Sequence, residues 1–145
     1  MEQDLNRFIQ AQESTYQEAL SEIISGRKRS HWMWYVFPQF RGLGFSETSK
    51  YYSIKNVDEA KSYLNHPILG ERLKLITKEL LALNENNANK VFGSPDDLKL
   101  KSSMTLFAAI DVSQEHIFQA VLDKFFNGQT DNKTLTLIEE YICQI

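Results

Sequence analysis

The chain has 145 residues, a formal net charge of −3 and a pI near 5.6. This length fits one domain, 1–145, and the acidic balance argues against a basic face for duplex nucleic acid. The single cysteine, Cys143, cannot form an internal disulfide, so a reducing, cytoplasmic location is expected. The sequence shows neither a secretory leader nor an apolar run long enough to cross a bilayer, so no membrane partner is expected.

The first predicted element is one long amphipathic helix. Apolar residues between Leu5 and Ile24 recur every three to four positions, which is the rhythm of a helix with one buried face. Asp4 is its expected N-cap, and Gly26 is expected to end it.

The aromatic segment that follows, Ser30–Pro38, fits either a short buried strand or two turns of helix. A helix is favoured because Ser30 can cap it and Pro38 forces the preceding residue towards an extended conformation. In a helix, His31, Trp34 and Tyr35 would share one face.

The rest of the chain repeats the helical rhythm, with cap signals at several starts. Helices are predicted at 57–64, from Pro67 to about 83, from Pro95 to about 110, at 117–126 and from about Asp131. Asn56 with Glu59 forms one cap signal, and Ser94 with Asp97 forms a capping box. No convincing pair of alternating strands is present. The predicted fold is therefore all-α, a single compact domain of about six to seven helices.

The stretch "GRKRSHWMWYVFPQFRGLG", residues 26–44, holds four cations and both tryptophans without one carboxylate. Guanidinium groups bind phosphate in a bidentate way and aromatic rings stack on bases, so Arg27, Lys28 and Arg41 beside Trp34 and Tyr35 suit a nucleotide-like anion. The alternative is structural, because cations that follow a helix C-terminus stabilise its dipole without any ligand.

Two polar residues of this stretch are further candidates. His31 can act as an acid or a base near neutral pH, and Gln39 can orient a ligand by hydrogen bonds. A lone histidine is, however, more often a hydrogen-bonded structural residue.

The string "GLGFSETS" at 42–49 begins like a phosphate-binding glycine loop, with Ser46 among its possible contacts. The third glycine and the Lys–Ser/Thr pair of known phosphate loops are missing. A turn in which Ser46 caps a following helix explains the string better, although its backbone N–H groups could still contact a phosphate.

The string "DLKLKSSMTLF" at 97–107 is the second concentration of polar groups. Its apolar residues form a core-facing stripe, which leaves Lys99, Ser102 and Ser103 on the adjoining surface for phosphate contact or plain solvation. No metal-ligand spacing emerges, and neither a metal nor a cofactor is predicted.

Four strings carry a resemblance to a known family. The 26–44 stretch, "HPILGERL", "FGSPDDLKLKSSMTLFA" and "FQAVLDKFFNG" resemble a bacterial family known only as domain of unknown function number eighteen-ten, sometimes mislabelled calpastatin. The likeness runs from Leu5 to about Leu135. It implies a mainly helical single domain and supplies no activity or catalytic residues. The calpastatin label has no support, because an inhibitor of that kind would be disordered and poor in aromatic residues.

Two hypotheses about function follow. In the first, residues 27–53 and the start of the helix at Pro95 form a pocket for a small anionic, phosphorylated or nucleotide-like ligand. Hydrolysis of the ligand is left open, with His31 as the catalytic candidate. The ligand-binding candidates are Arg27, Lys28, Trp34, Tyr35, Gln39, Arg41, Ser46, Lys99, Ser102 and Ser103.

The alternative is a non-enzymatic interaction module that binds a protein or a single-stranded nucleic acid through exposed Trp34 and Tyr35. The two hypotheses are separated by geometry: the first requires that residues 27–41 and 99–103 share one cleft. Neither hypothesis specifies an oligomeric state.

Overall fold

The computed structural model describes residues 5–143, and the regular elements in that range are all helices, joined by loops and one isolated β-bridge between Phe40 and Ile54, which confirms the all-α prediction. Its helices are α1 Asn6–Glu13, α2 Tyr16–Ile24, α3 Met33–Val36, α4 Glu47–Tyr51, α5 Val57–Asn65, α6 Leu69–Ala82, α7 Ala88–Phe92, α8 Asp96–Ile110, α9 Ile117–Phe126 and α10 Asn132–Cys143. Ten helices over this range replace the expected six to seven. The excess comes from short helices and from one long helix that is broken.

The break lies between α1 and α2, where a single helix from Leu5 to Ile24 was predicted wrongly. The Thr15 side chain donates a hydrogen bond to the Ala11 carbonyl at 2.8 Å, and this bond competes with regular helix geometry. The C-terminal end was predicted correctly, since Gly26 has φ +87° and the Arg27 N–H reaches back to the Glu22 carbonyl. The expected cap, Asp4, lies outside the described residues.

The aromatic segment forms only one helical turn, α3, with Trp32 rather than Ser30 as the residue before it. Ser30 does not cap a helix because its hydroxyl donates to the Glu22 carboxylate at 2.6 Å. Trp32 and Phe37 lie in the core, and the segment is anchored by its aromatic side chains.

The Glu22 carboxylate of α2 binds the basic segment that follows the helix, residues 27–30. It accepts hydrogen bonds from the backbone N–H groups of Arg29 (2.6 Å) and Ser30 (2.9 Å) and from the indole of Trp32 (3.0 Å). Burial on its own would raise the pKa of Glu22, but these bonds and the Ser30 hydroxyl lower it to about 2. The carboxylate therefore stays ionised and holds the segment against α2.

Helix α8 is the central element of the fold. It packs against α5, α7, α9 and α10, and its residues 102–107 are all buried. The helix begins at Asp96, after a cis peptide bond between Ser94 and Pro95. The capping box was predicted wrongly, because the Asp97 N–H donates to the Gly93 carbonyl at 2.9 Å and no side chain caps the helix.

Other caps agree in part with the sequence. Asn56 caps α5 as predicted, with its side-chain oxygen 2.8 Å from the Glu59 N–H. Helix α6 starts two residues after Pro67, because the His66 ring accepts the N–H groups of Ile68 and Leu69. Within residues 5–143, no helix combines the length and the apolar character needed to cross a membrane.

A buried ion pair fastens α1 to α5, and no sequence pattern predicted it. Nη2 of Arg7 lies 2.8 Å from Oε1 of Glu59, and 4% and 1% of the two side chains are exposed. Arg7 also donates to the backbone carbonyls of Tyr51 and Ser53, each at 2.8 Å. The pair thereby fixes the turn that follows α4.

Replacing Arg7 with methionine should destabilise the protein strongly, because it leaves the Glu59 carboxylate buried without its partner. We expect the free energy of unfolding, measured by urea denaturation, to fall by about 3–5 kcal/mol. The double variant Arg7→Met/Glu59→Gln removes both charges and should recover part of this loss. Equal stability of the single and double variants would contradict the account.

The pH dependence of stability should report on Glu22. Because its folded pKa lies near 2, below the usual value of 4.5, the stabilisation is complete above about pH 4.5 and is lost as the pH falls towards 2. Glu22→Gln should therefore lower the free energy of unfolding by about 3 kcal/mol at pH 7, and the gap should close near pH 2. The exposed Glu139→Gln is the matched control, and a gap that is independent of pH would refute the assignment.

Candidate functional site

A cleft of about 350 Å³ opens between residues 39–49 and the first turns of α8. Five of the residues singled out in the sequence line it: Trp34, Gln39, Ser46, Lys99 and Ser102. The aromatic segment and the 99–103 stretch thus meet at one concavity, which is the geometry required by the small-molecule hypothesis.

The other six candidates do not line this cleft. Arg27, His31 and Arg41 are exposed elsewhere on the surface. His31 is therefore not placed to act as an acid or a base on a molecule bound in the cleft. The remaining three, Lys28, Tyr35 and Ser103, are engaged inside the protein.

Lys28 serves as a structural cation. Its ammonium is 2.9 Å from the Asp96 carboxylate, donates to the Ser30 carbonyl and lies 5.0 Å from the Trp32 ring centroid. Only 7% of its side chain is exposed. Lys28 thereby ties the basic segment to the start of α8.

Tyr35 and Ser103 point into the core. The Tyr35 ring is buried against Tyr52, with 5.2 Å between centroids. Ser103 is fully buried, and its hydroxyl has no hydrogen-bond partner among the described residues. One step along α8 rotates a side chain by about 100°, which separates Ser103 from the cleft-facing Ser102.

The cation of the cleft is Lys99. Its ammonium lies 5.3 Å from the Trp34 ring centroid and 3.5 Å from one oxygen of Asp96. The other oxygen of Asp96 binds Lys28, so one carboxylate serves two cations. Lys99 lines the cleft, and about a quarter of its side chain is exposed.

Asp131, which was predicted only as the start of the last helix, lines the same cleft. Its Oδ2 accepts the Ser102 hydroxyl at 2.9 Å, the Thr134 N–H at 3.3 Å and the Thr134 hydroxyl. The Asp131 N–H donates to the Thr105 hydroxyl at 2.9 Å. A capping signal at 131–134 is visible in the sequence, but nothing local shows that this cap faces α8.

One wall of the cleft is the turn before α4. Ser46 caps this helix, with its hydroxyl oxygen 3.1 Å from the Ser49 N–H, as the structural interpretation of "GLGFSETS" predicted. Gly44 is required there, since a Cβ atom would lie 2.3 Å from the Ser49 hydroxyl. Helix α4 has only five residues, so its dipole offers little to a phosphate.

The rim of the cleft is apolar. Phe45 is 87% exposed and Leu98 is 59% exposed, and they rise from the turn before α4 and from α8 respectively. The charged groups in the lining are Lys99 and Asp131, one of each sign. The cleft is therefore aromatic and polar, not the strongly basic pocket that the cations of residues 27–41 suggested.

Clusters of potential metal ligands were also sought among the described residues. Within residues 5–143, no three His, Cys, Asp or Glu side chains come together as a metal site would require.

Comparison with known proteins identifies relatives but no activity. The sequence pattern of the family described as "Protein of unknown function (DUF1810)" matches residues 2–138. The crystal structure of the conserved hypothetical protein Rv1873 from Mycobacterium tuberculosis is similar, with 44% sequence identity and a TM-score of 0.90. The match covers 94% of this chain and 96% of that one. No curated protein matches the chain. With nearly its whole length matched, the chain belongs to the DUF1810 family.

Proposed function

We propose that the cleft binds a small nucleotide-like molecule, with its ring against the apolar wall and its anionic group on Lys99. The observation that carries the proposal is the meeting of Trp34 and Lys99 in one concavity under an apolar rim. Aromatic and apolar side chains next to a partly exposed lysine suit a ligand that has a planar ring and an anionic group.

The size of the cleft supports a small ligand. A cavity of about 350 Å³ falls at the lower end of the range for small-molecule sites. Its charges also favour one anionic group over many, because Asp131 stands opposite in sign to Lys99.

The interaction-module alternative receives less support. It requires Trp34 and Tyr35 to be exposed on a flat or convex face, whereas Tyr35 is 8% exposed and Trp34 lines a concavity. The exposed Phe45 and Leu98 stand at the rim of the same concavity, where a bound ring would cover them.

The proposal concerns binding and assigns no reaction. His31, the acid–base candidate, lies outside the cleft lining. Ser102 is buried and donates its hydroxyl proton within the protein, at 2.9 Å to Asp131 and 3.2 Å to the Leu98 carbonyl. These positions favour recognition over covalent chemistry.

Calorimetric titration with the four ribonucleoside 5′-monophosphates, adenosine, ribose 5-phosphate and inorganic phosphate tests the proposal. We expect at least one nucleotide to bind, and Lys99→Gln to weaken that nucleotide about tenfold by removing its charge-assisted contact. Lys101→Gln is the matched control, since Lys101 lies on the same helix but outside this cleft. Absence of binding by every member of the panel would overturn the proposal.

Phe45 allows a test without a folding penalty, because its ring is almost fully exposed. Phe45→Ser should leave the Tm unchanged and weaken nucleotide binding at least fivefold, since an aromatic side chain that stacks on a base contributes about 1–3 kcal/mol. Val112→Ser, at a position that is 94% exposed and outside the cleft, should change neither quantity. Unaltered affinity of Phe45→Ser would remove the apolar rim from the binding surface.

A further inference from the structure

The Asp131 carboxylate is fixed in one orientation by residues around it. All three of its hydrogen bonds reach Oδ2: the Ser102 hydroxyl at 2.9 Å, the Thr134 N–H at 3.3 Å and the Thr134 hydroxyl. Ser102 belongs to the buried helix α8 and Thr134 to the first turn of α10, so both donors are held by the fold. The carboxylate therefore cannot rotate freely.

The second oxygen, Oδ1, remains for other donors. Among residues 5–143, none donates a hydrogen bond to it, although Asp131 lines the cleft. An ionised carboxylate is purely an acceptor, with several lone-pair positions, so the groups it can bind from the cleft are hydroxyls and amines. A phosphate group beside Asp131 is disfavoured because its charge has the same sign.

The neighbouring side chain reinforces this polarity. The one hydroxyl proton of Ser102 is directed at Asp131 and at the Leu98 carbonyl, so Ser102 does not offer a donor to a ligand. The lining of the cleft thus offers an acceptor at Asp131 and a cation at Lys99. A bound molecule is oriented by the need to place donors at the first and an anion at the second.

We infer that Asp131 recognises the ribose hydroxyls, so that the site selects ribonucleotides over nucleotides that lack those hydroxyls. This inference rests on the proposed nucleotide-binding function. A nucleoside monophosphate has the required order of groups, with the phosphate at one end of the sugar and the vicinal 2′- and 3′-hydroxyls at the other. A carboxylate that accepts hydroxyl protons forms charge-assisted hydrogen bonds, which are stronger than neutral ones.

Titration of the wild-type protein with the ribonucleoside 5′-monophosphates and their 2′,3′-dideoxy counterparts tests the inference without any mutation. We expect the dideoxy compounds to bind at least tenfold more weakly. Equal affinity for both series would overturn the inference and leave the proposed function standing. Failure of both series to bind would overturn both.

The variant Asp131→Asn assigns the selectivity to this side chain. Asparagine caps helices about as well as aspartate, so the fold should persist. The variant should lose about tenfold in affinity for the ribonucleotide and none for the dideoxy compound, which would abolish the preference. Asp97→Asn, at a residue that does not line this cleft, is the matched control and should keep it. Equal weakening of both series by Asp131→Asn would show a structural role only and would overturn the inference.

Discussion

The cleft depends on the ion pairs of the Asp96 carboxylate with Lys28 and Lys99. One oxygen of this carboxylate is 2.9 Å from the Lys28 ammonium of the basic segment, and the other is 3.5 Å from Lys99 one turn further along α8. Glu22 also holds this segment, because its carboxylate accepts hydrogen bonds from the N–H groups of Arg29 and Ser30. Because these two carboxylates bind residues 28–30 to α2 and to α8, the aromatic residues that follow lie next to α8. The wall formed by Trp34 is a consequence of these contacts.

The same contacts explain why the sequence was ambiguous. The stretch from 26 to 44 has cations and no carboxylate. The sequence of this stretch alone therefore suggests that its cations bind an external anion. Two carboxylates bind this stretch instead: Asp96, which is distant in the chain, pairs with Lys28, and Glu22 of the preceding helix accepts backbone N–H groups. Helices α5, α6 and α9 could be predicted well because their apolar periodicity is a local property. The break at Ser14–Thr15 could not, since the apolar rhythm continues across it.

The placement of candidate residues in the cleft could be predicted where it depended on helical phase. Once α8 was expected to bury its apolar stripe, Lys99 and Ser102 had to lie together beside that stripe, and both line the cleft, although Ser102 is buried. The same argument misplaced Ser103, because in a helix buried on almost every side the adjoining face is also core. Asp131 was missed as a site residue because a cap explains it completely at the local level. Only the long-range hydrogen bond from the Ser102 hydroxyl to the Asp131 carboxylate shows that the capping residue also lies beside α8 at the cleft.

The balance of charge around Lys99 limits the kind of ligand that can be proposed for the cleft. Lys28 and Lys99 share the single charge of Asp96, so this end of the cleft has an excess of one positive charge, while Asp131 contributes one negative charge. A ligand with one compact anionic group gains attraction at Lys99 and meets repulsion only if that group approaches Asp131. A polyanion such as duplex nucleic acid would place phosphates against both ends, and the repulsion at Asp131 would offset much of the gain. The arrangement therefore favours a short ligand that has its anionic group at one end and hydrogen-bond donors at the other.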